Sequence, residues 1–141
     1  MSRKSRGVWI LAVIGAAVLL PAAAQPSHGP AAVKVKMVEW DITLQNASKS
    51  HGPLSRVTFV VKNAGKLKHE FVVIKTTTAA GELAKPGTGR VPEKGDVGEI
   101  GNIPPGATKK LTLELPQGHY ALICNFGGHW NNGQFVDYYI H

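Results

Sequence analysis

From Val33 to the C-terminus, apolar and polar residues alternate with a period of two, the spacing of a strand with one buried face. Val33, Val35 and Met37 alternate with Lys34 and Lys36. Val38, Trp40, Ile42 and Leu44 then continue on the opposite phase, which predicts a bulge or bend within one strand. A polar loop spans residues 45–53. Val57, Phe59 and Val61 alternate with Thr58 and Lys62, and Asn63-Ala64-Gly65 breaks that strand. A strand apolar on both faces is predicted over residues 69–75. Pro104-Pro105-Gly106 predicts a tight turn; Leu111, Leu113 and Leu115 alternate with Thr112 and Glu114, and Pro116-Gln117-Gly118 turns the chain into a strand over residues 119–124. The last strand is expected over residues 135–141. Residues 76–97 hold four glycines and two prolines and predict a long surface excursion with at most a short helical turn. Short strands at close spacing, with no convincing amphipathic helix, predict an all-β sandwich or barrel.

The first segment has a different pattern. Arg3, Lys4 and Arg6 precede an unbroken apolar run over residues 8–20, followed by Ala22-Ala23-Ala24. This three-part order predicts a secretory signal peptide over residues 1–24. The run of 13 residues is short for a membrane span, which needs about 20. Residues 25–32 are expected to form a flexible mature N-terminus, and residues 33–141 one domain exported to the periplasm, with no membrane span after processing and monomeric. The leader removes three of 16 basic residues and none of the nine acidic ones, so the mature formal charge is 13 − 9 = +4. No basic run interleaved with aromatics accompanies that charge, so a nucleic-acid partner is not expected.

The chain has one cysteine. An unpaired thiol in an exported protein is an inert core residue, half of an intermolecular disulfide, or a ligand or nucleophile. Its neighbours bear on the choice. Tyr120, Leu122 and Cys124 share a strand face by the period of two, which turns the thiol inward if the first two are core. Gly127 and Gly128 then let the backbone turn tightly, so that His129 returns over the same spot, and Gly133-Gln134 closes the loop. Cys124, His129 and the Gln134 amide thus project from one 11-residue loop. His69 opens a strand whose next inward residues, Phe71 and Val73, are apolar, which places its imidazole on the core side, where a metal would supply the partner that burial demands. Nucleophilic catalysis by Cys124 would want a helix N-terminus or a cationic neighbour, whereas Cys124 ends a strand; no enzymatic activity is expected.

Asn63-x-Gly65 followed by His69-Glu70-Phe71, the Pro-Pro-Gly turn, and Cys124-Asn125-x-x-Gly128-His129 near the C-terminus together resemble the cupredoxin (blue copper) family over most of residues 33–141. The resemblance implies a Greek-key β-sandwich and a type 1 site for one copper ion, cycling between Cu(I) and Cu(II), with His69, Cys124 and His129 as ligands. The family's fourth position is usually Met. Here it is Gln134, as in stellacyanin-type sites, with a backbone oxygen as the open alternative, and Met37 reads as a core residue. Two imidazoles, one thiolate and a weak axial donor suit copper, whereas structural zinc sites usually recruit more thiolates.

The resemblance further implies a one-electron carrier; a copper-sequestering or copper-delivery protein using the same site is the alternative. His129 matches the solvent-side ligand of the family, so Phe126, Gly128 and Trp130 are expected to form an apolar electron-transfer patch for transient docking of redox protein partners. Packing against the loop is the other reading of Trp130. Glu70 and Asn125, each following a ligand, are candidates to tie the ligand loops together, with surface exposure the alternative for Glu70. Lys66 and Lys68 precede His69 and would favour an acidic partner.

Overall fold

A computed structural model describes residues 31–47 and 52–141. The expected signal peptide and residues 25–30 lie outside the described residues. Among the described residues, eight strands run in the order β1 (Ala31–Val38), β2 (Asp41–Gln45), β3 (Leu54–Asn63), β4 (His69–Lys75), β5 (Asp96–Ile103), β6 (Thr108–Pro116), β7 (Gly118–Ile123) and β8 (Phe135–Ile140). They form two four-stranded sheets, which we term sheet A (β2-β1-β3-β6) and sheet B (β5-β4-β7-β8). β1 and β3 run parallel, and the other pairings are antiparallel.

The period-two pattern makes this sandwich. Val33, Val35, Met37, Val57, Phe59 and Val61 point inward from sheet A and meet Phe71, Val73, Tyr120, Leu122, Tyr138 and Ile140 of sheet B, all buried. Phe59 anchors the seam, its ring centroid 5.4 Å from that of Phe71 and 5.5 Å from that of Tyr138. Burying one such side chain contributes about 1.5–3 kcal/mol.

One expectation is corrected. The phase change after Met37 is a hairpin, not a bulge: Glu39 and Trp40 turn the chain, Val38 pairs with Asp41 and Met37 with Ile42, so both strands face the core. Trp40 takes φ 69° in that turn, and it is exposed rather than in line with Ile42. Residues 76–95 hold a short 3-10 turn (Ala80–Glu82) and pack over the outer face of sheet B. Ala80 and Val91 there join Val72, Ile74, Ala121, Ile123 and Trp130 in a second core, which is why β4 is apolar on both faces.

Candidate metal centre

His69 opens β4 at the end of a loop that is tied at several points. Asn63 is fully buried; its amide donates to the carbonyls of Leu67 (2.8 Å) and Ile103 (2.9 Å) and accepts from the Gly65 N–H (2.9 Å). From the β1–β2 turn, Glu39 Oε1 accepts the backbone N–H groups of Lys66 (2.5 Å) and Leu67 (2.7 Å). These donors, that of Leu67 foremost, hold the Glu39 carboxyl below its ordinary range. The Asn63-x-Gly65 signature is therefore a structural clamp on the loop that presents His69.

Cys124 follows β7, and its N–H donates to the carbonyl of Gln134 (3.0 Å), closing the base of the ligand loop. Within the loop the His129 N–H donates to the Phe126 carbonyl (2.9 Å), and Gly128 and Gly133 take φ 83° and 102°, conformations costly for residues bearing a Cβ. His129 and Gln134 are thereby turned back toward the thiol.

The donor atoms converge. Cys124 Sγ lies 3.4 Å from His129 Nδ1 and 3.9 Å from His69 Nδ1, and the two Nδ1 atoms are 3.4 Å apart. Three atoms about 2.0–2.3 Å from one centre, the ordinary reach of imidazole and thiolate to a metal, form a triangle with edges of this size. Gln134 Oε1 is 3.1 Å from His129 Nδ1. The orientation of its amide is fixed by chemistry: Gln134 Nε2 donates to the Val38 carbonyl (2.6 Å), and a flipped amide would set two oxygens against each other. His69, Cys124 and Gln134 are completely buried and His129 half-buried.

The electrostatics suit a cation. Burial, and next the proximity of His129, hold His69 below the usual imidazole range, which leaves it neutral and able to donate a lone pair. Burial pushes the Cys124 thiol up, opposed by the N–H groups of Glu70 (3.3 Å from Sγ) and Phe126. A positive ion at the centre would reverse that penalty, as coordination deprotonates a thiol. His69 Nε2 is buried without a hydrogen bond, and Glu39 Oε1 lies 3.8 Å away. With Nδ1 given to a metal, Nε2 carries the proton and faces a carboxylate, a common arrangement behind metal-bound histidine. The residues present fit a single soft-to-intermediate metal ion.

The surroundings differ from expectation at Trp130 and Asn125. Trp130 does not line an exposed rim: it opens a 3-10 turn (Trp130–Asn132) that lays its ring on the second core, 4% exposed, with Nε1 donating to the Ala80 carbonyl (2.8 Å). The aromatic beside His129 on the solvent side is Trp40, 43% exposed, edge-on at 5.3 Å between centroids. Phe126 flanks His129 at 5.9 Å, and Gly128 is half-buried beside it. Glu70 is buried rather than on the surface; its side chain meets Arg90 (3.5 Å) while its N–H reaches Cys124 Sγ. Asn125 is buried too, but its amide binds both backbone groups of Val91 (2.7 and 3.0 Å), so it ties the ligand loop to residues 76–95 instead of to the His69 loop. Glu39 and Trp40 are what the sequence reading missed. The break in apolar phase after Met37 was the available signal, since a two-residue turn produces it as readily as a bulge.

No known protein family and no curated protein matches this sequence. Solved structures do. Reduced auracyanin from Roseiflexus castenholzii matches with a TM-score of 0.58 at 17% identity, over 79% of this chain and 97% of that one. Auracyanin B matches at 0.59 and 18%, over 78% and 88%. Rusticyanin from Thiobacillus ferrooxidans matches at 0.55 and 16%, over 79% of each chain. The chain thus has the cupredoxin fold and gathers at one pole of it a donor set of the type 1 copper kind: two histidines, a cysteine and, in place of methionine, a glutamine.

Proposed function

We propose that this chain is an exported type 1 copper protein that carries single electrons between redox partners. His69 Nδ1, Cys124 Sγ and His129 Nδ1 would hold one copper ion, with Gln134 Oε1 as the weak axial donor. Bound copper supplies a Cu(I)/Cu(II) couple. The protein does the rest: it buries three donors completely, fixes the amide through Val38 and leaves only His129 toward solvent. Water and substrate are thereby kept from the centre, which suits electron transfer better than catalysis. His129, framed by Trp40 and Phe126, is then the port, and an apolar rim of that size suits brief docking. Two matched structures are of reduced proteins, and rusticyanin is a copper protein; both facts agree with a redox role.

The observation that carries this function is the convergence of three buried or half-buried donor atoms, from His69, Cys124 and His129, on residues separated by up to 60 positions, with the Gln134 amide beside them. Absorption and EPR spectra of the copper(II)-loaded protein test it. An intense visible thiolate-to-copper band is expected in the wild type and is lost in Cys124→Ser. A wild type without that band, or a variant that keeps it, overturns the assignment. Slow loss of copper to a chelator with a reversible couple is the result expected of a carrier; rapid loss would indicate delivery.

A further inference from the structure

The two sheets are electrically unlike. Sheet A and its loops (residues 31–47, 52–68 and 104–117) carry eight basic and three acidic residues. Sheet B and its loops (residues 69–103 and 118–141) carry four basic and six acidic ones. The excess is concentrated on the outward face of sheet A. Strand register sets Lys36 directly beside Lys62, and places Lys34 and Lys110 on either side of Val60. All four lysines are exposed. Like charges directly opposite on a sheet repel and cost stability, yet none of the four lies within 4.0 Å of a carboxylate among the described residues. The acids of that face are engaged elsewhere: Asp41 accepts from Thr43 Oγ1 (2.7 Å), and Glu114 lies opposite Arg56 at the far end. Between Lys34, Lys36 and Lys62 a shallow depression of about 300 Å³ opens over Val60.

This basic half adjoins the metal pole. Lys62 precedes Asn63, the clamp on the His69 loop, and Lys36 lies two residues before Val38, whose carbonyl holds Gln134. Exposed Lys66 and Lys68 extend the charge along the loop to the pole itself. A one-sided positive field beside an apolar contact area pre-orients a negative partner during diffusional encounter.

We propose that the lysine-rich half of sheet A docks the carboxylate-rich surface of a protein redox partner and holds it against the Trp40–His129 pole. This rests on the electron-carrier function proposed above. Its occupant is a protein because the charge runs into the pole where the electron must leave.

Two measurements test it. The ¹⁵N-labelled protein is titrated with a polyglutamate peptide at low ionic strength. Amide shifts are expected at Lys34, Lys36 and Lys62, absent at Lys75, Lys85 and Lys94, and abolished by salt. Shifts spread evenly over all lysines would overturn the proposal. In the second, the copper(I) protein is oxidised by ferricyanide. K36E/K62E is expected to slow the reaction about tenfold at low salt and to converge with wild type at high salt. K85E/K94E changes the net charge equally on the sheet B side and is expected to do far less; equal effects of the two pairs sink the assignment. Binding to phosphatidylglycerol vesicles that depends on Lys36 and Lys62, without polyglutamate shifts, would give the face to a lipid surface and refute a protein partner. Failure of the copper assignment shows separately, as a missing visible band, and the peptide titration can still be read on the metal-free chain.

Discussion

Gly65 has no room for a side chain, because a Cβ there would come within 2.5 Å of Glu39 Oε1. The carboxylate ends a flexible side chain and can move, but moving it breaks its bonds to the N–H groups of Lys66 and Leu67. Gly65→Ala is therefore expected to lower the melting temperature about as much as Glu39→Ala, through the same lost charge-assisted bonds, and the double variant little more than either. Thermal melts of the four proteins check this; additive losses would show that the two residues act separately. At Gln134 the chemistry of the donor matters instead. An amide oxygen is a harder donor than a thioether and favours the oxidised ion, so Gln134→Met is expected to raise the reduction potential in voltammetry. A fall or no change removes Gln134 as the axial donor. Residues whose spacing brings them together, Cys124, His129 and Gln134, were legible from the sequence. Glu39 was not, because its role exists only once two loops meet.

Individual elements were legible where one face is apolar and the other is not. β3 and β6 follow their alternation, and β4 its continuous apolar run. β5 was missed because Asp96–Ile103 buries only Ile100 and Ile103 and contains two glycines, leaving no period to read. Its strand state comes from pairing with β4, a tertiary cause. Residues 76–97 were read as a surface excursion whose role was left open, since a second core cannot be seen until the outer face of sheet B is known. That segment is fastened at Asn125: with the amide removed, the N–H and C=O of Val91 lose their partners in a buried setting. Each unpaired buried group costs about 1–3 kcal/mol. Asn125→Ala is expected to lower the melting temperature and to speed hydrogen exchange at Val91 while β3 and β6 keep their protection. Uniform acceleration across both sheets would mean that the segment is not a separate unit.

At the scale of the whole molecule, all four candidate donors come from sheet B and its loops, while sheet A closes the site: Asn63 of β3 clamps the loop before His69, and the hairpin turn sets the Val38 carbonyl on Gln134, Glu39 behind His69, and Trp40 on His129. None of these contacts needs a metal; Cys124 belongs to the central core, and His69 and Gln134 are completely buried. A site built this way is rigid before it is filled. It contrasts with small zinc domains, which fold only around their ion. The metal-free chain is therefore expected to unfold in one cooperative transition with native-like hydrogen-exchange protection in β3, β4 and β7. Copper should then add stability by mass action alone, about 2.7 kcal/mol at a free concentration one hundred times its dissociation constant. Calorimetry of the metal-free and loaded protein measures both quantities. A metal-free form that melts without a cooperative transition would show that the ion organises the pole, and the preorganisation deduced from the Asn63, Glu39 and Val38 contacts would be wrong.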